Sequence, residues 1–75
     1  MNSERHILSA FDRDLETVQA LVVKMGGMVE SAIHDAAIAL ETRDEELADD
    51  VRRRDQAIDA LEMQINEEAA RLIAL

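Results

Sequence analysis

From Phe11 onward, apolar residues recur at Phe11, Leu15, Val18, Val22, Met25, Val29, Ala32, Ala36 and Leu40. The steps alternate between four and three. That is the heptad spacing of a helix seam; a half-buried strand would alternate every second residue. Leu8, Leu21, Met28 and Ile33 widen the stripe on its flanks. A stripe this wide predicts burial against more than one neighbour, as in a helical bundle. Ser3 is placed to cap the start, with His6 at the capping-box distance, although that motif uses Glu or Gln there. The pattern predicts a helix over about residues 4–42, roughly 57 Å long at ~1.5 Å per residue.

The stretch "ETRDEELAD" interrupts the period. A turn is expected at about residues 43–44, with Asp44 as the N-cap of a second helix over about residues 45–75. Glu45 and Glu46 fall in its first turn, where carboxylates favour the positive end of the helix dipole. A second seam follows at Leu47, Val51, Arg54, Ile58, Leu61, Ile65, Ala69 and Leu72. With so short a connection the two helices should run antiparallel. The expected fold class is therefore all-α: an antiparallel helical hairpin.

Two features qualify this picture. Gly26-Gly27 sits inside the first helix, where each glycine costs ~1 kcal/mol relative to alanine. It reads either as a tolerated soft spot or as a place of bending or close helix approach. The chain also stops on "EEAARLIAL", with Leu72, Ile73 and Leu75 apolar and no capping glycine. That ending is expected of a piece cut from a longer protein. A lone two-helix hairpin leaves one face uncovered, so self-association is expected, most simply a homodimer forming a four-helix bundle.

Composition narrows the function classes. The 75 residues allow one small domain or part of one. There is no cysteine, hence no disulfide framework or zinc knuckle. The formal net charge of −9 opposes broad nucleic-acid binding and adhesion to anionic lipid, and suits a cation or a basic partner surface. No apolar run approaches the ~20 residues needed to span a bilayer, and "MNSERHILSAFDRDL" lacks the apolar core of a signal peptide. A soluble, cytoplasmic protein is expected.

The segment "RRRDQAIDALE" carries the one pattern with candidate chemistry. Asp55, Asp59, Glu62 and Asn66 follow i, i+4, i+7, i+11 spacing and share a stripe beside Ile58, Leu61 and Ile65. Like charges at i, i+4 repel by a few tenths of a kcal/mol when exposed, and a bound cation would reverse that sign. Such oxygen ligands suit Mg²⁺, Mn²⁺ or iron. The ordinary reading is a solvated acidic face, with Arg52, Arg53 and Arg54 as surface partners. Two aspartates do not complete a metal site, so further ligands would have to come from another helix. His34 follows Glu30 by four residues and reads as a surface pair, and His6 carries no assigned role. The Glu-x-x-His motif of di-iron bundles does not occur. Nor does a nucleophile elbow or a glycine-rich phosphate loop, so no catalytic residue is assigned.

Two stretches, "AFDRDLETVQALVVKMGGMVESAIHDAAIAL" and "RDEELADDVRRRDQAIDALEMQINEEAARLIAL", resemble the N-terminal part of PhoU, the family of bacterial phosphate-signalling regulators. The likeness rests on Phe11-Asp12 with Leu15, Met25-Gly26, the Asp44 turn, and Asp55-x-x-Ile58-Asp59-x-x-Glu62-x-x-Ile65. It implies an all-helical fold built from two repeated three-helix bundles, of which this chain would hold a hairpin. It implies no enzymatic activity. It implies negative regulation of phosphate uptake and of the phosphate-starvation response, exerted through the ATPase subunit of the phosphate ABC transporter and the sensor histidine kinase PhoR. It implies, as for several PhoU-like proteins, binding of multinuclear iron or other metal clusters through E/D-x-x-x-D motifs. Asp55 and Asp59 match that motif, with Glu62 beside them, and the partnering motif belongs to a third helix. Two other classes stay in view: a structural dimerisation hairpin with no signalling or metal role, and a helical metal-carboxylate enzyme.

Overall fold

The computed structural model describes residues 2–74. It contains two helices, α1 (Asn2–Thr42) and α2 (Glu45–Ile73), packed antiparallel as a hairpin. Leu75, to which the expected second helix runs, lies outside the described residues. Ser3 falls inside α1 and so does not cap it. Among the described residues no helix is long and apolar enough to cross a membrane.

The reversal is built from two residues. Arg43 takes the left-handed conformation (φ 56°), which lets the Asp44 N–H donate to the Ala39 carbonyl at 2.9 Å. This six-to-one bond is the Schellman closure of a helix end, made here without the usual glycine. Asp44 is extended (φ −87°, ψ 99°), and its side chain accepts the Leu47 N–H at 3.0 Å. One aspartate thus ends α1 through its N–H and starts α2 through its carboxylate. Thr42 donates its hydroxyl to the Ile38 carbonyl at 2.8 Å, a back-bond one turn up its own helix.

The interface is a ladder of heptad positions. On α2 the second seam falls as expected: Ile58, Leu61, Ile65 and Leu72 are buried, while Leu47, Val51, Arg54 and Ala69 are half-buried. The first seam needs correcting. The residues of α1 that face α2 are Val18, Leu21, Met25, Met28, Ala32, Asp35 and Ala39, again in steps of three and four. Val22, Val29 and Leu40 lie on an adjacent apolar stripe and remain exposed at 46%, 36% and 82%. The expected seam straddled both stripes. α2 is a single helix with one narrow apolar line, so it covers only one of them.

α1 is twelve residues longer than α2. At ~1.5 Å per residue, its first part extends about 18 Å past the end of α2. Ile7 and Leu8, on that arm, are exposed. Gly26 and Gly27 run in unbroken helix, and a Cβ added at either would meet nothing within 4 Å. Among the described residues nothing uses them for close approach.

Candidate functional site

The acidic stripe lies on α2 just after the arginine run. Asp55, Asp59, Glu62 and Asn66 are all exposed. Their helical spacing stacks them one turn apart, with side chains rising from the edge of the seam that buries Ile58, Leu61 and Ile65. The buried isoleucines and leucine hold the helix face down on α1 and leave the carboxylates pointing away from it.

The arginines do not neutralise this stripe. Arg52 lies 3.9 Å from Asp49, and Arg53 3.8 Å from Asp50, both on the preceding turn. Arg54 turns inward, bonding Asp35 of α1 at 2.7 Å and standing 3.2 Å from Asp50. Among the described residues, no ion pair or side-chain hydrogen bond engages Asp55, Asp59 or Glu62. The expected pairing of the arginines with Asp55 and Asp59 is therefore replaced by pairing backwards along α2 and across to α1.

The stripe has a defined side. Near the turn, one flank of the hairpin is a shallow concavity lined by Ala36, Ala39 and Leu40 of α1 and Ala48 and Val51 of α2. Heptad steps from Ala48 lead to Asp55 and Glu62. The matching steps back from Ala36 lead to Val29, Val22 and Leu15. The carboxylates of α2 and the uncovered apolar stripe of α1 consequently form the two walls of one flank. The opposite flank is mixed, with Lys24, Ser31 and Arg54 beside Met28 and Ile58 around one hollow and Asp14, Thr17, Glu68 and Arg71 beside Val18 and Leu72 around another.

As a metal centre the stripe is partial. Its donors are carboxylate oxygens, suited to a hard or borderline divalent ion. They come from one helix only. Among the described residues, no three acidic or histidine side chains converge closely enough to hold an ion. His34 and Glu30 are exposed on α1 and make no contact with the stripe.

The feature that sequence reasoning missed is Asp35. The sequence reading puts Arg54 in the second seam and pairs it with the acidic stripe of its own helix, and it assigns Asp35 to no seam. The available signal was the phase of Asp35, three residues after Ala32 and four before Ala39, on the line that proves to face α2.

Residues 22–75 match the PhoU domain family. The chain is 36% identical over 74 residues to the phosphate-specific transport system accessory protein PhoU of Escherichia coli, covering 99% of the chain and 31% of that protein. It is 41% identical over 69 residues to the PhoU homolog of Pseudomonas putida, covering 92% and 27%. It is 40% identical over 70 residues to that of Zymomonas mobilis, covering 93% and 30%. The chain spans less than a third of the length of these curated relatives. No solved structure matches. With the family match covering most of its length and a helical hairpin as its fold, the chain belongs to the PhoU family.

Proposed function

We propose that this chain is part of an accessory protein of a bacterial phosphate transport system, working in the cytoplasm as a negative regulator of phosphate uptake and of the phosphate-starvation response. The observation that carries this reading is the family match over residues 22–75, together with relatives named as phosphate-specific transport accessory proteins. The protein acts by contact and not by chemistry. Its partners are the ATPase subunit of the phosphate ABC transporter and the sensor histidine kinase PhoR.

The hairpin is a scaffold with one finished interface and one open flank. Leu15, Val22, Val29 and Ile33 supply an apolar wall with no cover among the described residues. A further helix of a three-helix repeat, or a second copy in a four-helix homodimer, covers that wall. In the longer protein, Asp55, Asp59 and Glu62 hold iron or another divalent ion once a further helix supplies opposing carboxylates. The ion then links two helices that each carry too much like charge to pack closely alone.

The test uses the full-length protein, tagged and expressed in cells grown with ample phosphate. Co-purification with the transporter ATPase or the kinase is expected, and a phosphate-responsive promoter should become active when residues 1–75 are deleted. Absence of both partners, with the promoter still silent, would remove the regulatory reading and leave a structural dimerisation hairpin.

A further inference from the structure

α1 offers α2 two apolar stripes, and the one it presents is the poorer. Across from the turn-proximal part of α2 the facing line reads Ala32, Asp35 and Ala39, while the adjacent line reads Ile33, Ala36 and Leu40. Ile33 is 65% exposed and Leu40 82%. At this level apolar burial alone favours rotating α1 so that the bulkier line meets Leu47 and Val51. Something holds it in the other setting.

The only charged contact across the interface among the described residues lies at this level. The Arg54 guanidinium sits in the seam of α2, donates to the Asp35 carboxylate at 2.7 Å, and reaches the Ser31 hydroxyl at 3.4 Å. Its Nε is buried, 3.2 Å from Asp50 but without hydrogen-bond alignment. If α1 rotated, Asp35 would swing away and Arg54 would be left in an apolar seam with Asp50 alone. A half-buried charge that loses its cross-helix partner and keeps only a neighbour on its own helix is disfavoured.

We propose that the Asp35–Arg54 pair selects which face of α1 packs on α2, and so keeps the Leu15–Val22–Val29–Ile33 stripe turned outward. The pair acts as a rotational key; it is not the main source of stability. Buried or half-buried charge pairs are well suited to this task, because a misaligned pair is penalised more than an aligned one is rewarded.

The absence of cysteine allows a clean test by single-thiol labelling. Ile33→Cys reports the outward stripe and Met28→Cys the inward one. In the otherwise unaltered chain, at a concentration where it sediments as a monomer, Ile33→Cys should react several-fold faster with a maleimide. Adding Arg54→Leu leaves Asp35 facing an apolar seam, so the order should narrow or invert with helical content retained. Adding both Arg54→Leu and Asp35→Leu removes the conflict and should restore the original order. If Arg54→Leu leaves the labelling order unchanged, or if the double substitution fails to restore it, the proposal is overturned. Loss of helical content in Arg54→Leu also overturns it, because the pair would then be supporting the fold and not choosing a face.

Discussion

Asp35 and Arg54 meet at 2.7 Å across the hairpin, nineteen residues apart in sequence, with side chains only 29% and 32% exposed. Exposed ion pairs contribute about 0.2–1 kcal/mol, and well-aligned hydrogen bonds to charged groups about 1.5–3 kcal/mol. Partial screening by solvent places this pair between those ranges. Asp35→Ala should lower stability by about 1 kcal/mol in urea unfolding followed by circular dichroism. A loss as large as that of a core truncation would mean that the pair holds the fold together.

The turn makes a prediction of opposite sign. Arg43 occupies the left-handed region at φ 56°, where a Cβ is penalised by roughly 1–2 kcal/mol. Arg43→Gly relieves that strain, partly offset by the greater freedom of glycine in the unfolded chain. The melting temperature should rise by several degrees, on the order of 4 °C. Asp44→Ala should lower it, since the cap to the Leu47 N–H contributes ~1 kcal/mol.

Core and surface on α2 separate sharply. Leu61 is 8% exposed, whereas Met63, two residues on, is 66% exposed. Leu61→Ala should remove about 2–4 kcal/mol, a large share of what so small a fold possesses, and shift the chain toward the unfolded state. Met63→Ala should change stability by less than about 0.5 kcal/mol. Comparable losses for the two would contradict the arrangement of the seam.

Self-association should depend on the open flank. Val22 is 46% exposed and lies off the α2 contact. Val22→Glu should leave helical content unchanged and move the sedimentation coefficient at micromolar concentration from dimer toward monomer. A parent chain that sediments as a folded monomer would exclude the four-helix pairing.

Metal binding is tested in the full-length protein. Asp55→Asn with Asp59→Asn alters only exposed side chains, so the fold should persist while metal measured by mass spectrometry falls. Metal content equal to that of the parent would withdraw both aspartates as ligands.

The helices, the turn and the α2 seam were legible because each rests on local rules. Apolar spacing sets the period, and Asp44 followed by Glu45 and Glu46 marks a helix start. The packing face of α1 was not legible, because Val22 and Val29 are as apolar as Leu21 and Met28 and the period of the stripe fits either line. The choice depends on a residue in the other helix, Arg54, and pattern counting along one helix carries no term for a partner across the gap. The acidic stripe was legible as spacing, but its freedom from the neighbouring arginines was not. That depends on side chains choosing Asp49, Asp50 and Asp35 over Asp55 and Asp59.

The two-residue reversal at Arg43 and Asp44 has a kinetic consequence. Every interhelical contact is nested around it, with the Asp35–Arg54 level close in and the Val18 and Leu72 levels far out. Closing each successive level encloses only a few more residues, so the chain can zip from the turn outward without a large loop penalty at any single step. Amide exchange should accordingly slow toward the bend and quicken toward the projecting arm of α1, where no second strand of the zip exists.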